Sequence, residues 1–293
     1  MTIWKNPGWY NAEQRRMLLD EHVDRTGKSR YGIVEMPTEI KRDAVKDHFN
    51  RVAKKYDFMN TLLSFGLHHV WKRKAVRMLD LKPGRRVLDV CGGTGDISVL
   101  SLGWVGPAGR VVLYDINRAM MKMGKNKRHK RLSQDPIFCV QGDGESISFQ
   151  DETFDAVIVS FGIRNFTHLV RGFTEMYRVL KPGGKIVCLE FSRPMNPMFR
   201  TLYDFYSFNI MPFIGRIFTG SSRAYACLPE TIRMFPLADE LTKILEEIGF
   251  VAVSHRGLTN GIAVAHFAEK SSASPRESAK NQAHKINAHS GHH

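Results

Sequence analysis

The chain of 293 residues is short of four things. It holds no uncharged apolar run near the roughly 18 residues that a membrane-spanning helix requires, which argues against an integral membrane protein. Its first residues, Met1-Thr-Ile-Trp-Lys-Asn-Pro7, lack the apolar core of a secretory signal, so a cytoplasmic location is expected. Cysteine is scarce: Cys91, Cys139, Cys188 and Cys227 lie far apart with no C-x-x-C spacing. That pattern predicts buried free thiols in a reducing compartment, with neither a disulfide framework nor a zinc site, and no metal is expected. Acidic residues are also few, 29 against 43 Lys and Arg, leaving a formal charge of +14. The excess is concentrated in residues 41–86 and 117–131, and a basic face attracts anions, of which nucleic acid and an anionic membrane surface are the two candidates.

What is present alternates. Apolar, β-rich runs occur at Arg86–Val90, Arg110–Asp115, Ile137–Gln141, Phe154–Ser160 and Gly184–Phe191, with helical patterns between them. Five such runs predict an α/β doubly wound, mostly parallel sheet. Two further strands, near Val251–Arg256 and Gly261–Ala268, follow a helix over about Pro236–Ile248 and are close enough to pair antiparallel. The expected organisation is a flexible N-terminal extension (1–40), one domain (41–270) and a disordered, His-containing tail (271–293).

After the first strand comes Asp89-Val-Cys-Gly-Gly-Thr-Gly-Asp96, with a helix beginning near Ile97. Glycines such as Gly93 and Gly95 at a strand-to-helix turn let backbone N–H groups approach a ligand. The dinucleotide pattern G-x-G-x-x-G fails, because counting from Gly93 its third glycine is Ser98, so a smaller anion suits the turn: the carboxylate of a methionine moiety. Asp115 ends the second strand twenty residues beyond Gly95, the position from which a carboxylate accepts both ribose hydroxyls of a nucleoside. Asp143 and Gly144 follow the third strand, suited to an adenine amino group and a flat base, and Ser160 closes the fourth. Any one of these has a bland reading as a cap or turn residue. Four strand ends converging on one crevice point to a nucleoside site.

Three further segments resemble the ubiquinone/menaquinone biosynthesis C-methyltransferase family. They are Lys55-Tyr-Asp-Phe-Met-Asn60 with Leu63-Ser-Phe-Gly-Leu-His68 and Trp71-Lys72-Arg73; Ser160-Phe-Gly-Ile-Arg-Asn165 leading to Tyr177-Arg-Val-Leu-Lys-Pro-Gly-Gly184 and Leu189-Glu-Phe-Ser-Arg-Pro194; and Tyr203-Asp-x-Tyr-Ser-Phe208 with Ile232-Arg-Met-Phe-Pro236. The similarity runs from about Phe49 to Ala268, and two positions depart from it: Gly142-Asp143-Gly144 replaces a segment ending in Ala, and Cys91 stands where many methyltransferases have glycine. The resemblance implies a class I, Rossmann-like methyltransferase fold with an antiparallel C-terminal strand. It implies S-adenosyl-L-methionine held by Thr94, Asp115, Asp143, Gly144 and Ser160, and C-methylation of a lipid-soluble prenylated quinol, demethylmenaquinol or 2-methoxy-6-polyprenyl-1,4-benzoquinol.

A ring carbon is a poor nucleophile until its neighbouring hydroxyl ionises, so the reduced quinol is the expected substrate. Arg164 and Asn165 follow the fourth strand, placed to stabilise the oxyanion, and are read as the catalytic pair in preference to a surface salt bridge for Arg164. Residues 41–80 are expected to form a helical lid that carries Tyr56, Asp57 and Asn60, with Tyr56 and Asn60 four apart on one face and Tyr56 a catalytic candidate beside Arg164 and Asn165. His68 or His69 can serve as base, or simply pack beside Phe65 and Trp71. Residues 195–235, dense in Phe, Tyr, Met and Ile, are either core or an insertion that takes the isoprenoid tail or rests peripherally on the inner face of the membrane. A homodimer or a quinone-pathway complex is also open. Rival readings are an RNA methyltransferase, which the basic charge favours and the missing N/D-P-P-Y/F motif opposes, and a nucleoside-binding assembly subunit. No nucleic-acid partner is expected.

Overall fold

In the computed structural model of the protein, residues 7–129, 136–219 and 222–272 are described. The chain opens with α1 (Ala12–Arg16), α2 (Asp20–Thr26) and a hairpin of β1 (Lys28–Tyr31) and β2 (Val34–Pro37). Helices α3 (Thr38–Val52), α4 (Tyr56–Leu63) and α5 (Leu67–Met78) follow, and then the central sheet begins. Its strands are β3 (Arg86–Val90), β4 (Arg110–Asp115), β5 (Ile137–Gln141), β6 (Phe154–Ser160), β7 (Leu180–Phe191), β8 (Phe250–Leu258) and β9 (Ala263–Lys270). They lie in the order β5-β4-β3-β6-β7-β9-β8, parallel up to β7, with β9 antiparallel to both β7 and β8. The order reverses at β3, so β3 and β6 flank the crevice where open α/β sheets bind ligands.

The sheet is buried on both faces, as the near-continuous apolar runs require. One face packs Leu88, Val90, Val157, Val159 and Phe173 in one cluster, and the other packs Val87, Val111, Ile158, Val187 and Trp71 in a second. Strand β7 starts earlier than its apolar run: Phe154 pairs with Leu180, and the register then shifts to Ala156 with Lys185, so Lys-Pro-Gly-Gly bulges within the strand. Two glycine-bearing turns set the crevice. Gly95, at φ +83°, precedes α6 (Asp96–Val105), and a Cβ there would lie 2.5 Å from Arg128. At Gly162 a Cβ would meet the Cβ of Cys91 at 2.3 Å, so the ends of β3 and β6 approach at van der Waals distance only because glycine faces Cys91. Helices α7 (Arg118–His129) and α8 (Leu169–Val179) flank the sheet. After β7 come α9 (Pro197–Phe205), a π-helical turn (Tyr206–Ile210), α10 (Met211–Thr219), α11 (Ser222–Met234) and α12 (Ala238–Ile248).

Two expectations need correction. The segment expected to be a flexible extension is folded from residue 7 onward. Arg15 grips Glu240 through two bonds of 2.6 Å, and Asp20 accepts from the backbone N–H groups of Val170 (2.9 Å) and Arg171 (2.8 Å) at the start of α8. These anchors are polar and distant in sequence, and so leave no periodicity. Of the thiols expected to be buried, Cys188 and Cys227 are, whereas Cys139 is exposed. The tail from residue 273 lies outside the described residues. Among the described residues, no helix is long and apolar enough to cross a membrane.

Candidate active site

Two cavities of about 550 Å³ and 540 Å³ lie over the carboxyl ends of β3, β4 and β6. They share a wall: Tyr56, Cys91, Gly93, Ser160, Phe161 and Asn165 border both. The second cavity is the more polar and holds the expected nucleoside residues. Asp115 Oδ2 accepts the Gly93 N–H at 2.8 Å and Oδ1 accepts that of Asn117 at 2.7 Å, which fixes the carboxylate at the end of β4. Burial nevertheless pushes Asp115 up to about 6, with those two backbone bonds opposing the shift. Asp143 and Gly144 line the same cavity, though Asp143 is already engaged, accepting the Glu145 N–H at 2.9 Å and pairing with Arg42 of α3. Gly144 is forced by Phe166, whose ring carbon would lie 2.4 Å from any Cβ.

Thr94 faces the first cavity, where its hydroxyl donates to Asp57 Oδ1 at 2.7 Å. This bond ties α4 to the glycine turn and was not anticipated: the expected face of that helix carried Tyr56 and Asn60, both of which do line the cavity. Gly95 borders neither cavity, so its part is the backbone turn alone. The Ser160 hydroxyl, at the shared wall, is buried with no hydrogen-bond partner. An orphaned buried hydroxyl beside a fixed carboxylate and a bare glycine turn is the arrangement that a polar cofactor completes, and the residues present fit S-adenosylmethionine.

The first cavity is lined mainly by apolar side chains from α4, α9 and α11, and Arg164 stands in its wall. Arg164 is not a surface residue. Its side chain is 8 % exposed, and Nη1 donates to Glu190 Oε1 at 2.7 Å and to the Phe161 carbonyl at 2.5 Å, while Cζ lies 5.4 Å from the Phe191 ring centroid. Glu190, 2 % exposed at the end of β7, was overlooked in the Leu-Glu-Phe segment because a single acid in a buried strand reads as a strand-end residue. His48 of α3, also overlooked, lines this cavity and is pushed down to about 4 by burial. His68 lies in the wall with Nδ1 2.7 Å from Ser64 Oγ. Ser64 gives its one proton to the Asn60 carbonyl at 2.6 Å, so Nδ1 of His68 is the donor and Nε2 carries the lone pair. Burial, with Lys72 and His69 adding, pushes His68 down to about 4 and keeps it neutral. Lys72 itself pairs with Asp96 at 3.0 Å.

A seven-stranded sheet in this order, a glycine turn after β3, a carboxylate at the end of β4 and a nucleoside cavity over the switch point define the class I S-adenosylmethionine-dependent methyltransferases. Solved structures agree on the fold: a SAM-dependent methyltransferase from Aquifex aeolicus aligns at a TM-score of 0.50 and 21 % identity over 68 % of this chain and 88 % of that one. The [4+2]-cyclase SpnF aligns at 0.58 and 14 % identity over 78 % of this chain and 96 % of that one, so the fold by itself does not fix the reaction. The family is fixed by sequence. Residues 37–270 match the profile of the ubiE/COQ5 methyltransferase family, and the chain belongs to it. Relatives named ubiquinone/menaquinone biosynthesis C-methyltransferase UbiE are 42 % identical in Ectopseudomonas mendocina (80 % of this chain, 92 % of that) and 43 % in Haemophilus ducreyi (80 % and 91 %). The protein is therefore an S-adenosylmethionine-dependent C-methyltransferase.

Proposed function

We propose that the protein methylates a ring carbon of a prenylated quinol, as the printed names of its relatives suggest, and that the two confluent cavities divide the work. The observation that carries this reading is the shared wall: a polar cavity for the methyl donor opens onto a largely apolar one of about 550 Å³ beside a buried arginine. Asp115 holds the ribose, the turn at Gly93 and Thr94 faces the methionine end, and Asp143, Gly144 and Ser160 border the remainder of the donor. The chemistry supplied by S-adenosylmethionine is an electrophilic sulfonium methyl: the new ring C–C bond forms as the C–S bond breaks, and the displaced ring proton passes to a base. Arg164 places a permanent charge beside the quinol oxygen and favours its ionised form, while Asn165 and Tyr56 orient the ring at the junction. Neutral His68, with its lone pair on Nε2, takes the ring proton; a weak base suffices because the ring regains aromaticity.

The substrate arrives from an anionic membrane surface. Met198, Leu202 and Phe205 of α9 and Phe213 and Ile217 of α10 are exposed beside the apolar cavity, which Leu202 and Phe205 help to line, and Phe65 in the turn between α4 and α5 is 78 % exposed. Arg216 lies between Phe213 and Ile217, and Lys55 bonds to the Phe218 carbonyl, so cations border the apolar stripe.

Radiolabelled S-adenosylmethionine tests the reading directly. Label is expected in demethylated menaquinol and benzoquinol kept reduced, and not in the same quinones left oxidised. Labelling of RNA with neither quinol labelled would overturn it.

A further inference from the structure

We infer that Glu190 is the positioning residue of this active site: it aims the Arg164 guanidinium and sets how strongly that cation ionises the bound quinol. The inference rests on the quinol reading of the apolar cavity and adds to it a residue that borders neither cavity.

Glu190 closes β7, and Arg164 sits in the 3₁₀ turn after β6 (Ile163–Asn165), the strand paired with β7. The pairing therefore delivers both ends to one place. Glu190 Oε1 accepts Arg164 Nη1 at 2.7 Å and the Phe191 N–H at 2.9 Å, while Oε2 faces the Arg164 backbone N–H at 3.5 Å. Phe161 takes Nη1 as well, and Phe191 packs against the guanidinium. Both guanidinium hydrogen bonds fall on Nη1. Nε is buried and unpartnered, so it makes no bond that competes with Glu190 for the aim of a side chain that lines the apolar cavity. A guanidinium anchored at one nitrogen in the wall of an apolar cavity is preorganised for an oxyanion.

The charges around the pair sharpen the point. His48 from α3 is neutral, pushed down to about 4. Tyr203 from α9 and the thiols of Cys91 on the β3 turn and Cys188 on β7 are each pushed up by burial, which keeps them neutral as well. Lys41 shares a small neighbouring cavity with Arg164 but is bound to Ser29 Oγ at 3.0 Å and to the Phe166 carbonyl. Burial raises the Glu190 carboxyl and the Arg164 cation opposes that shift, so Glu190 is the direct counter-charge to Arg164. Removing its charge while keeping its acceptor oxygen leaves the cation less compensated, and a bound phenol must then ionise at lower pH. Keeping the charge but shortening the side chain moves the fork, so the midpoint does not fall and turnover drops.

Two variants separate these effects, with Arg164→Ala as the reference. The bound ionisation midpoint is read optically with 4-nitrophenol, whose phenolate is coloured, and turnover is read with the reduced quinol. Glu190→Gln is expected to lower the 4-nitrophenol midpoint by at least about half a pH unit, and Arg164→Ala to raise it. Glu190→Asp is expected to leave the midpoint at or above that of wild type and to lose at least about tenfold in kcat, with KM for S-adenosylmethionine within about twofold. Identical midpoints for wild type and Glu190→Gln, in protein that unfolds cooperatively and binds S-adenosylmethionine normally, overturn the inference. If Glu190→Gln does not fold, wild-type kcat in Glu190→Asp overturns it. A wild-type enzyme that shows the nitrophenol shifts but methylates no quinol removes the quinol reading alone.

Discussion

Asp89 shows how single residues at this site are held at a cost. It is 1 % exposed, Ser98 donates to it at 2.5 Å, and burial pushes it from 3.8 up to about 7, with Ser98 and Lys72 opposing. An acid whose folded pKa is raised adds stability below its unfolded value, and that stability is lost as the pH climbs through the folded value. The window here runs from about 4 to about 7. Asp89→Asn removes the ionisation while retaining an acceptor for Ser98. Relative to wild type, the variant should gain on the order of a few kcal/mol at pH 8, since each pKa unit is worth about 1.4 kcal/mol, and should gain nothing near pH 4. Thermal unfolding curves of the two proteins across that range decide the matter. A constant difference in Tm at all pH values rejects the assignment.

At the scale of elements, the helices that precede the sheet line both cavities. Helices α3, α4 and α5 cover the crevice, and the Asp57–Thr94 bond of 2.7 Å latches α4 onto the glycine turn. A net hydrogen bond of about 1 kcal/mol sets the expected effect: Asp57→Ala should speed S-adenosylmethionine release about fivefold in stopped-flow. Thr94→Val should do the same, and the double variant should add little. Fully additive losses exclude the latch. The strands of this site were legible in sequence because each β run ends in a chemically distinctive residue, Asp115 or Ser160, at the place where sheet topology puts a crevice. The latch was not, since Asp57 and Thr94 lie 37 positions apart and each has an ordinary local reading. The same holds for Arg164, whose neighbours at β6 suggested a site, whereas its partner Glu190 becomes visible only when β6 and β7 pair. The N-terminal segment was misread for a related reason. Its anchors, Arg15 on Glu240 and Asp20 on α8, depend on tertiary partners that no local pattern announces.

Over the whole molecule, charge and exposed apolar surface meet at one face. Between residues 195 and 219 the one acid, Asp204, is consumed by buried Arg233, which leaves Arg200 and Arg216 uncompensated within that stretch. Met198 is 83 % exposed and shares a helical stripe with Leu202 and Phe205, at spacings of four and three. The π-helical turn at Tyr206–Ile210 inserts an extra residue and rotates Phe213 and Ile217 relative to that stripe. An apolar stripe bordered by cations at the mouth of a largely apolar cavity suits an anionic bilayer better than a second copy of the chain, which would carry the same positive charge. Two contributions predict two responses. Co-sedimentation with vesicles containing anionic phosphatidylglycerol should exceed that with neutral phosphatidylcholine and should fall with added salt, since each near-surface cation is worth about 1 kcal/mol. Met198→Ser with Phe213→Ser should weaken binding at every salt concentration by on the order of a hundredfold, because two large, mostly exposed side chains leave the lipid at about 1.5–3 kcal/mol each for full burial, while activity on a tail-less quinol stays intact. Equal sedimentation of wild type and the double variant, or a wild-type dimer that the double variant converts to monomer, assigns the face to something other than lipid.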